Sequence, residues 1–549
     1  MSGRMPRHDD GAGVAPLGAS GASGAGAAVP VHLPEGARVP EGLVDAALGY
    51  EAALVSDDLA TLESFFAPGT ATLRGDDGGL LVGRDTITRF RGRRGGAPQR
   101  AIEALHVRPI DGEHAWLIAV TAPAAGGRGL VSQLWERQDG AWRITAAHVS
   151  APARALDPRV WRVVGEPLLP PTAPGPLDGH TVAVKDVFAV EGFPVGAGIP
   201  AYLAEAGAES RSAASLRALR AAGASVRGIA QTDQFAYSIA GRNAAYGTPP
   251  NPAVPGGISG GSSSGPAAAV AMGHATIGLA TDTAGSIRIP ASYQGLWGLR
   301  TTHGAVSTEG VLPLAPSFDT VGWLARDGAT LAAAVRASLD HAAAADVGSR
   351  FVMASALVGS ATPEVAATFG NAIAALAAGG FEVATLEDPA FTVDALDALY
   401  TAFRIVQASE AWAAHGVWIR AHPGALGADV AARFEWASSV APAAASDARE
   451  RLEAARGALD AALGDAVLVL PSAASVAPAV DAAGAEIEAI RAATLRMTAV
   501  AGATGRPAVS VPGLTAGGAP VGVCFVGPRG SDVALVDAAI GWAGLLKHD

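Results

Sequence analysis

Two architectures in tandem are predicted for this chain: a small α+β unit, then a larger α/β unit with a central sheet covered by helices. Three observations carry this reading. At 549 residues the chain is too long for one ordinary domain. Between about residues 38 and 150, helical segments come first and a meander of long strands follows, the order of an α+β unit. From residue 178 to 549, short apolar strands alternate with alanine-rich helices, which implies a sheet covered on its faces.

Residues 1–37 are rich in Gly, Ala and Ser, offer nothing bulky to bury, and are predicted to be disordered. In the 38–150 unit, VDAALGYEAALVSDDLATLESFF reads as two helices broken at Ser56-Asp57-Asp58, with Asp57 or Asp58 as the second helix's cap. A short strand pair is predicted around Thr70–Val82 and a helix near Arg84–Arg94. The runs IEALHVRPI, HAWLIAVTA, LVSQLWERQ and AWRITAAHVS then read as strands, with Asp139-Gly140 as a hairpin turn. Residues 151–177 contain PLLPPTAPGPLDG and are predicted to form a proline-stiffened linker. In the 178–549 unit, helices such as SAASLRALRAAG and PEVAATFGNAIAALAAGG alternate with the strands TVAV, ASVRGIA, AVLVLP and PAVSVP.

Composition bounds the function. Half the residues are hydrophobic but only 5% are aromatic, so the core must pack closely from small side chains. A net charge of −12 argues against nucleic acid as the main partner, which would need a clustered positive surface. The single cysteine, Cys524, excludes an internal disulfide and a thiolate-rich zinc site, and its apolar surroundings predict a buried structural thiol. There is no signal-peptide pattern, and no apolar run long enough for a membrane span. A cytoplasmic protein without cofactor or metal is expected, with a homodimer left open.

Three segments carry chemistry. In TVAVKDVF, an apolar strand ends in Lys185, and a lysine there is costly unless it is paired or neutral. In PGGISGGSSSGPAAAVAMG, a Gly/Ser loop runs into an alanine-rich helix; the lysine of a phosphate-binding loop is absent. In TDTAGSIRIP, small residues precede Ser286, a turn that can aim successive backbone N–H groups at one point, with Asp282 and Arg288 placed to pair and hold it. A serine hydroxyl needs an adjacent base, and no histidine lies in these motifs. A buried lysine that loses its proton can supply one.

Together, and in this order, the segments LDGHTVAVKD, GGSSSG, TDTAGSIRIP, GRPAVSVPG and PVGVCFVGPRGSD resemble the amidase signature family of serine hydrolases. The resemblance implies a mixed central sheet covered by helices and a Ser–cisSer–Lys triad. The family's lysine falls on Lys185, its bridging serine beside a cis peptide on Ser262, and its nucleophile on Ser286, 24 residues later. The oxyanion donors fall on the N–H groups of Thr283, Ala284, Gly285 and Ser286. Ala284 stands where many members have glycine, which leaves a backbone donor intact. The expected reaction is hydrolysis of a carboxamide or ureide C–N bond to a carboxylate and ammonia through an acyl-enzyme on Ser286.

The first unit resembles the cone-shaped SnoaL-like domains, and within them the small deamidase-type proteins of s-triazine and ureide degradation. That likeness places a pocket tyrosine and arginine on Tyr50 and Arg74, while Arg89, Arg91, Arg93 and Arg94 read as a solvated helix face. The segment TTHGAVSTEGVLPLAPSFDTVGWLARD also resembles amidases acting on arylacetamides such as indole-3-acetamide, whereas the fused first unit points to carboxylated ureides such as carboxybiuret or allophanate. A glutamine amidotransferase subunit and a non-catalytic binding protein are the rival readings. Specificity is expected from the segments TDQFAYS and TAFRIVQASEAW.

Overall fold

In the first unit, Ser56-Asp57-Asp58 separates the helices Leu43–Val55 and Leu59–Ser64, and the Asp58 carboxylate accepts the Thr61 N–H at 3.1 Å to cap the second. A third helix spans Arg84–Gly92. The computed structural model describes residues 29–70, 72–76, 79–92, 100–123, 129–150, 157–339 and 345–546. The chain forms two compact units that divide after Arg154.

The first unit's sheet contains β1 (Val31–His32), β2 (Leu73–Asp76), β3 (Gly79–Val82), β4 (Arg100–Pro109), β5 (His114–Pro123), β6 (Gly129–Gln138) and β7 (Ala141–Ser150), in the order β1-β4-β5-β6-β7-β2-β3. Asp139 and Gly140, at φ of 51° and 78°, make the β6–β7 turn. Of the tail expected to be disordered, residues 1–28 lie outside the described residues. The remainder departs from that expectation: β1 pairs in parallel with β4, and Val29 and Val31 pack against the unit's core. Two alternating valines supply enough apolar surface for a short strand where composition averaged over 37 residues hides it.

The second sheet has eleven strands: β8 (Trp161–Leu169), β9 (Thr181–Lys185), β10 (Ser225–Ala230), β11 (Ile277–Asp282), β12 (Trp297–Arg300), β13 (Thr320–Ala325), β14 (Phe351–Met353), β15 (Val383–Thr385), β16 (Val467–Pro471), β17 (Ala508–Ala516) and β18 (Ala519–Val526). The order is β15-β14-β16-β18-β17-β12-β13-β11-β9-β10-β8, with parallel and antiparallel pairs mixed. Strand β8 corrects the linker reading of 151–177, of which 151–156 lie outside the described residues. It runs antiparallel to β10 at the sheet edge, where Pro167 is tolerated because no further strand needs its missing N–H, and buried Trp161 anchors it.

Small side chains let the layers approach. The helix Ser264–Ala271 is buried, and a Cβ at Gly265 would lie 2.4 Å from the Gln231 carbonyl oxygen. Cys524 is buried and desolvation pushes its thiol up to about 11. Strands β9 and β11 are parallel neighbours, so Lys185 and Asp282, their last residues, emerge at the same end of the sheet.

Candidate active site

Lys185 is completely buried, and its Nζ donates to Ser262 Oγ and to Thr281 Oγ1, each at 2.8 Å. Burial pushes the ammonium down to about 7, against the opposing pull of the Asp233, Asp282 and Asp319 carboxylates. The amine is therefore free of its proton in a substantial fraction of molecules near neutral pH. The neighbouring Asp186 pairs elsewhere: Arg162, on β8, lies 3.0 Å from it, and the Gly196 N–H donates to it at 3.0 Å. Desolvation raises Asp186 to about 6.

The Gly261–Ser262 peptide is cis. Its surroundings come from the 232–241 segment. Thr232 Oγ1 and the Asp233 N–H donate to the Ser262 carbonyl at 2.9 and 3.3 Å, and the Gly261 N–H donates to the Ile239 carbonyl at 2.8 Å. The Asp233 carboxylate accepts from the Gly241 N–H at 3.0 Å and from Ser264 Oγ at 3.2 Å. A Cβ at Gly261 would lie 2.4 Å from Asp233 Oδ2, so the loop closes this tightly only with glycine there. Burial raises Asp233 to about 6.

Ser286 is buried in the turn after β11. Asp282 organises that turn. Its carboxylate accepts Arg288 Nε and Nη2 at 3.0 and 2.9 Å, Arg300 Nη1 at 3.1 Å, and the Gly285 and Ile287 N–H groups at 2.8 and 3.2 Å. Burial alone would raise this carboxyl, but the two guanidiniums outweigh it and hold Asp282 well below the usual carboxylate range. Arg300 carries the opposite cost, and desolvation lowers it to about 10.

The four expected oxyanion donors are not equivalent. Gly285, at a φ of 119°, folds back over Asp282 and spends its N–H on that carboxylate. This corrects its assignment as a donor to substrate. The amides of Thr283, Ala284 and Ser286 have no acceptor among the described residues. Their carbonyls and side chains are tied down: Thr498 Oγ1 donates to the Ala284 carbonyl at 2.6 Å, and Thr283 Oγ1 donates to Asp319 at 2.5 Å. Asp319 in turn accepts the Leu314 and Ala315 N–H groups at 2.8 and 2.9 Å.

Sequence reasoning missed Thr281, Asp233, Asp319, Arg300 and Arg162. The acids in QTDQFAY and SFDTVGWLA were the available signal, since an acid inside an apolar run needs a partner.

In the first unit, Tyr50 is buried against Phe65, Phe66 and Trp135, and its phenol accepts from Arg91 Nη2 at 2.6 Å. The Arg91 guanidinium also lies over the Tyr50 and Phe66 rings. Arg91 therefore departs from the solvated-face reading, because the amphipathic helix turns it toward the aromatic core; Arg93 and Arg94 lie outside the described residues. Arg74 is buried, 5.0 Å from the centre of the Phe90 ring.

Residues 171–536 match the Amidase family and residues 36–154 the AtzH-like family. Amidase 1 of Arabidopsis thaliana is 34% identical over 414 residues, 69% of this chain and 96% of that protein. The 1-carboxybiuret hydrolase subunit AtzE of Pseudomonas sp. (strain ADP) is 42% identical over 183 residues, 33% of this chain and 38% of that protein. A crystal structure of an amidase superposes with a TM-score of 0.62 at 27% identity, covering 71% of this chain and 92% of the other.

Proposed function

The chain belongs to the amidase signature family and carries an AtzH-like N-terminal domain, and from that premise we propose that its amide hydrolysis runs through Ser286, Ser262 and Lys185. The neutral Lys185 amine takes the Ser262 proton while Ser262 takes that of Ser286. The freed Ser286 Oγ attacks the amide carbonyl. The amides of Thr283, Ala284 and Ser286 receive the oxyanion. The relay returns the proton to the leaving nitrogen, ammonia departs, and water, deprotonated through the same relay, releases the carboxylate. The observation that carries this reading is a fully buried lysine, lowered to about 7, bonded to the serine that follows the cis peptide.

Ser286→Ala tests it. Ammonia release and labelling by a fluorophosphonate probe are both expected to disappear while the melting temperature is kept. Ammonia release at the parent rate overturns the assignment of the nucleophile.

A carboxylated ureide is a second substrate reading, favoured by the AtzH-like domain and by the likeness to the 1-carboxybiuret hydrolase subunit. Rates on acetamide, indole-3-acetamide, biuret and allophanate separate it from a simple amide substrate. Among the described residues no helix is long and apolar enough to cross a membrane.

A further inference from the structure

The acid in SFDTVGWLA stands where strand register brings it against the turn that carries Ser286. β11 and β13 run antiparallel, with Thr281 opposite Val321 and Asp282 opposite Thr320. The next step of that register sets Thr283 opposite Asp319, just past the ends of both strands. Side chains placed opposite each other on an antiparallel pair lie close enough to interact, and Thr283 Oγ1 donates to Asp319 Oδ1 at 2.5 Å. That length belongs to a hydroxyl on an ionised carboxylate. Asp319 Oδ2 takes the Leu314 and Ala315 N–H groups. Each group bonded to this carboxylate is a donor, so the site is made for the ionised acid.

Thr283 is held closely from two directions. Its N–H lies in the peptide whose carbonyl is that of Asp282, and this carbonyl accepts Thr320 Oγ1 at 2.9 Å and Arg300 Nη1 at 2.5 Å. On the other side of that peptide, the Thr283 carbonyl meets Arg300 Nη1 only at 3.4 Å, so the hydroxyl bond to Asp319 is the closer hold. Thr281 and Thr283 thus flank Asp282, one bonded to the Lys185 amine and the other to Asp319. The loop behind Asp319 is anchored independently of its charge. His415 Nε2 donates to the Pro313 carbonyl at 2.7 Å, and Ser317 donates to Glu410 through Oγ at 2.6 Å and through its N–H at 3.0 Å. Both partners stand on the helix Val393–Ala421, Glu410 within the segment expected to shape specificity. Arg300 Nη2 holds the Phe318 carbonyl at 2.9 Å.

We propose that Asp319 is a positioning residue for the acyl transfer: through the Thr283 side chain it fixes the aim of the Thr283 amide at the oxyanion. This rests on the mechanism above and adds a residue to it. An oxyanion donor is effective when it already points to where the charge develops, because reorientation during the reaction would consume the gain. A hydroxyl bonded to an ionised carboxylate holds that aim more firmly than one bonded to a neutral group.

The test follows ammonia release on whichever of acetamide, indole-3-acetamide, biuret and allophanate the unmodified protein turns over. Losing an oxyanion donor outright costs about 10²–10³ in kcat. Thr283→Val keeps the amide and loses its anchor, and is expected to lower kcat about tenfold with KM changed less than about twofold. Thr283→Ser, which keeps the hydroxyl, is expected to restore most of that rate. Asp319→Asn is expected to lower kcat about fivefold on its own and to add little in the Thr283→Val background. A Thr283→Val kcat equal to the parent's, a Thr283→Ser as slow as Thr283→Val, or losses that multiply in the double variant overturn the proposal. Where Thr283→Val melts well below the parent protein, Thr283→Ser and Asp319→Asn decide. A parent rate in the first with a lowered kcat at unchanged KM in the second upholds the proposal, and any other result overturns it. Absence of fluorophosphonate labelling and of any amide hydrolysis in the unmodified protein overturns instead the amidase mechanism, and with it the role of Asp319.

Discussion

Thr281→Val removes one of the two acceptors bonded to the Lys185 amine and keeps a β-branched side chain of nearly the same volume on β11. The hydroxyl lies 2.8 Å from Nζ, and Lys185 is wholly buried, so bulk water does not replace it. A hydrogen bond to a charged group is worth about 1.5–3 kcal/mol and a neutral one about 0.5–1.5. Losing the hydroxyl therefore disfavours the ammonium relative to the amine by roughly 1 kcal/mol, about a fivefold change in the protonation equilibrium. Burial pushes the ammonium down to about 7, and under the proposed relay kcat/KM is expected to rise with pH as it loses its proton. That rise is expected to move to lower pH by about 0.7. In the proposed relay the acylation transition state carries the proton on Lys185, so the plateau kcat is expected to fall about fivefold as well. Ammonia release measured across the neutral range gives both quantities. The pH dependence of fluorophosphonate labelling gives the first without any amide substrate. An acid limb that stays in place or moves to higher pH refutes the claim that Thr281 supports the protonated amine.

Gly285→Ala forces a side chain onto a φ of 119° with its Cβ 2.7 Å from Ile289 Cδ1, a backbone cost of about 1–2 kcal/mol before any repacking. Displacement of the turn is expected to lower kcat by about ten- to a hundredfold with a smaller change in KM; a kcat equal to that of the parent would mean the turn does not set the donors. Arg162→Met leaves Asp186 uncompensated in a site where it is 1% exposed, and breaking a buried pair in this way costs about 3–5 kcal/mol. The raised Asp186 favours its neutral form, so folding stability tied to it is present at low pH and is lost as pH rises from the ordinary carboxyl range through about 6. Thermal melts of the variant should therefore show a smaller deficit at pH 5 than at pH 8, and an equal or larger deficit at pH 5 contradicts the pairing.

The first unit's helices and meander were legible because each is written locally: Asp58 caps, Asp139-Gly140 turns, and the strands alternate in burial. The strand β8 was not. Pro167 within it and the prolines that follow signal irregular structure, and only its place at the edge of an eleven-stranded sheet makes Pro167 harmless. Composition likewise hid β1, whose two residues form a strand only because β4 is there to pair with.

The candidate site divides in the same way. Lys185, Ser262 and Ser286 were singled out by the order of their segments and the resemblance that order carries, since a lysine ending an apolar strand and serines in glycine turns are each ordinary on their own. The spacing that brings Arg288 back onto Asp282 was legible as well. What surrounds them is assembled from distant segments: Asp233 beneath the Ser262 loop and Arg300 as the second guanidinium on Asp282. The order of the segments, and the family resemblance it carries, singled out the residues proposed to carry the chemistry. The proton affinity of Lys185 and the commitment of the Gly285 N–H were decided only by the tertiary structure. Desolvation, hydrogen-bond geometry and charge balance depend on which parts of the chain are brought within a few ångströms of one another.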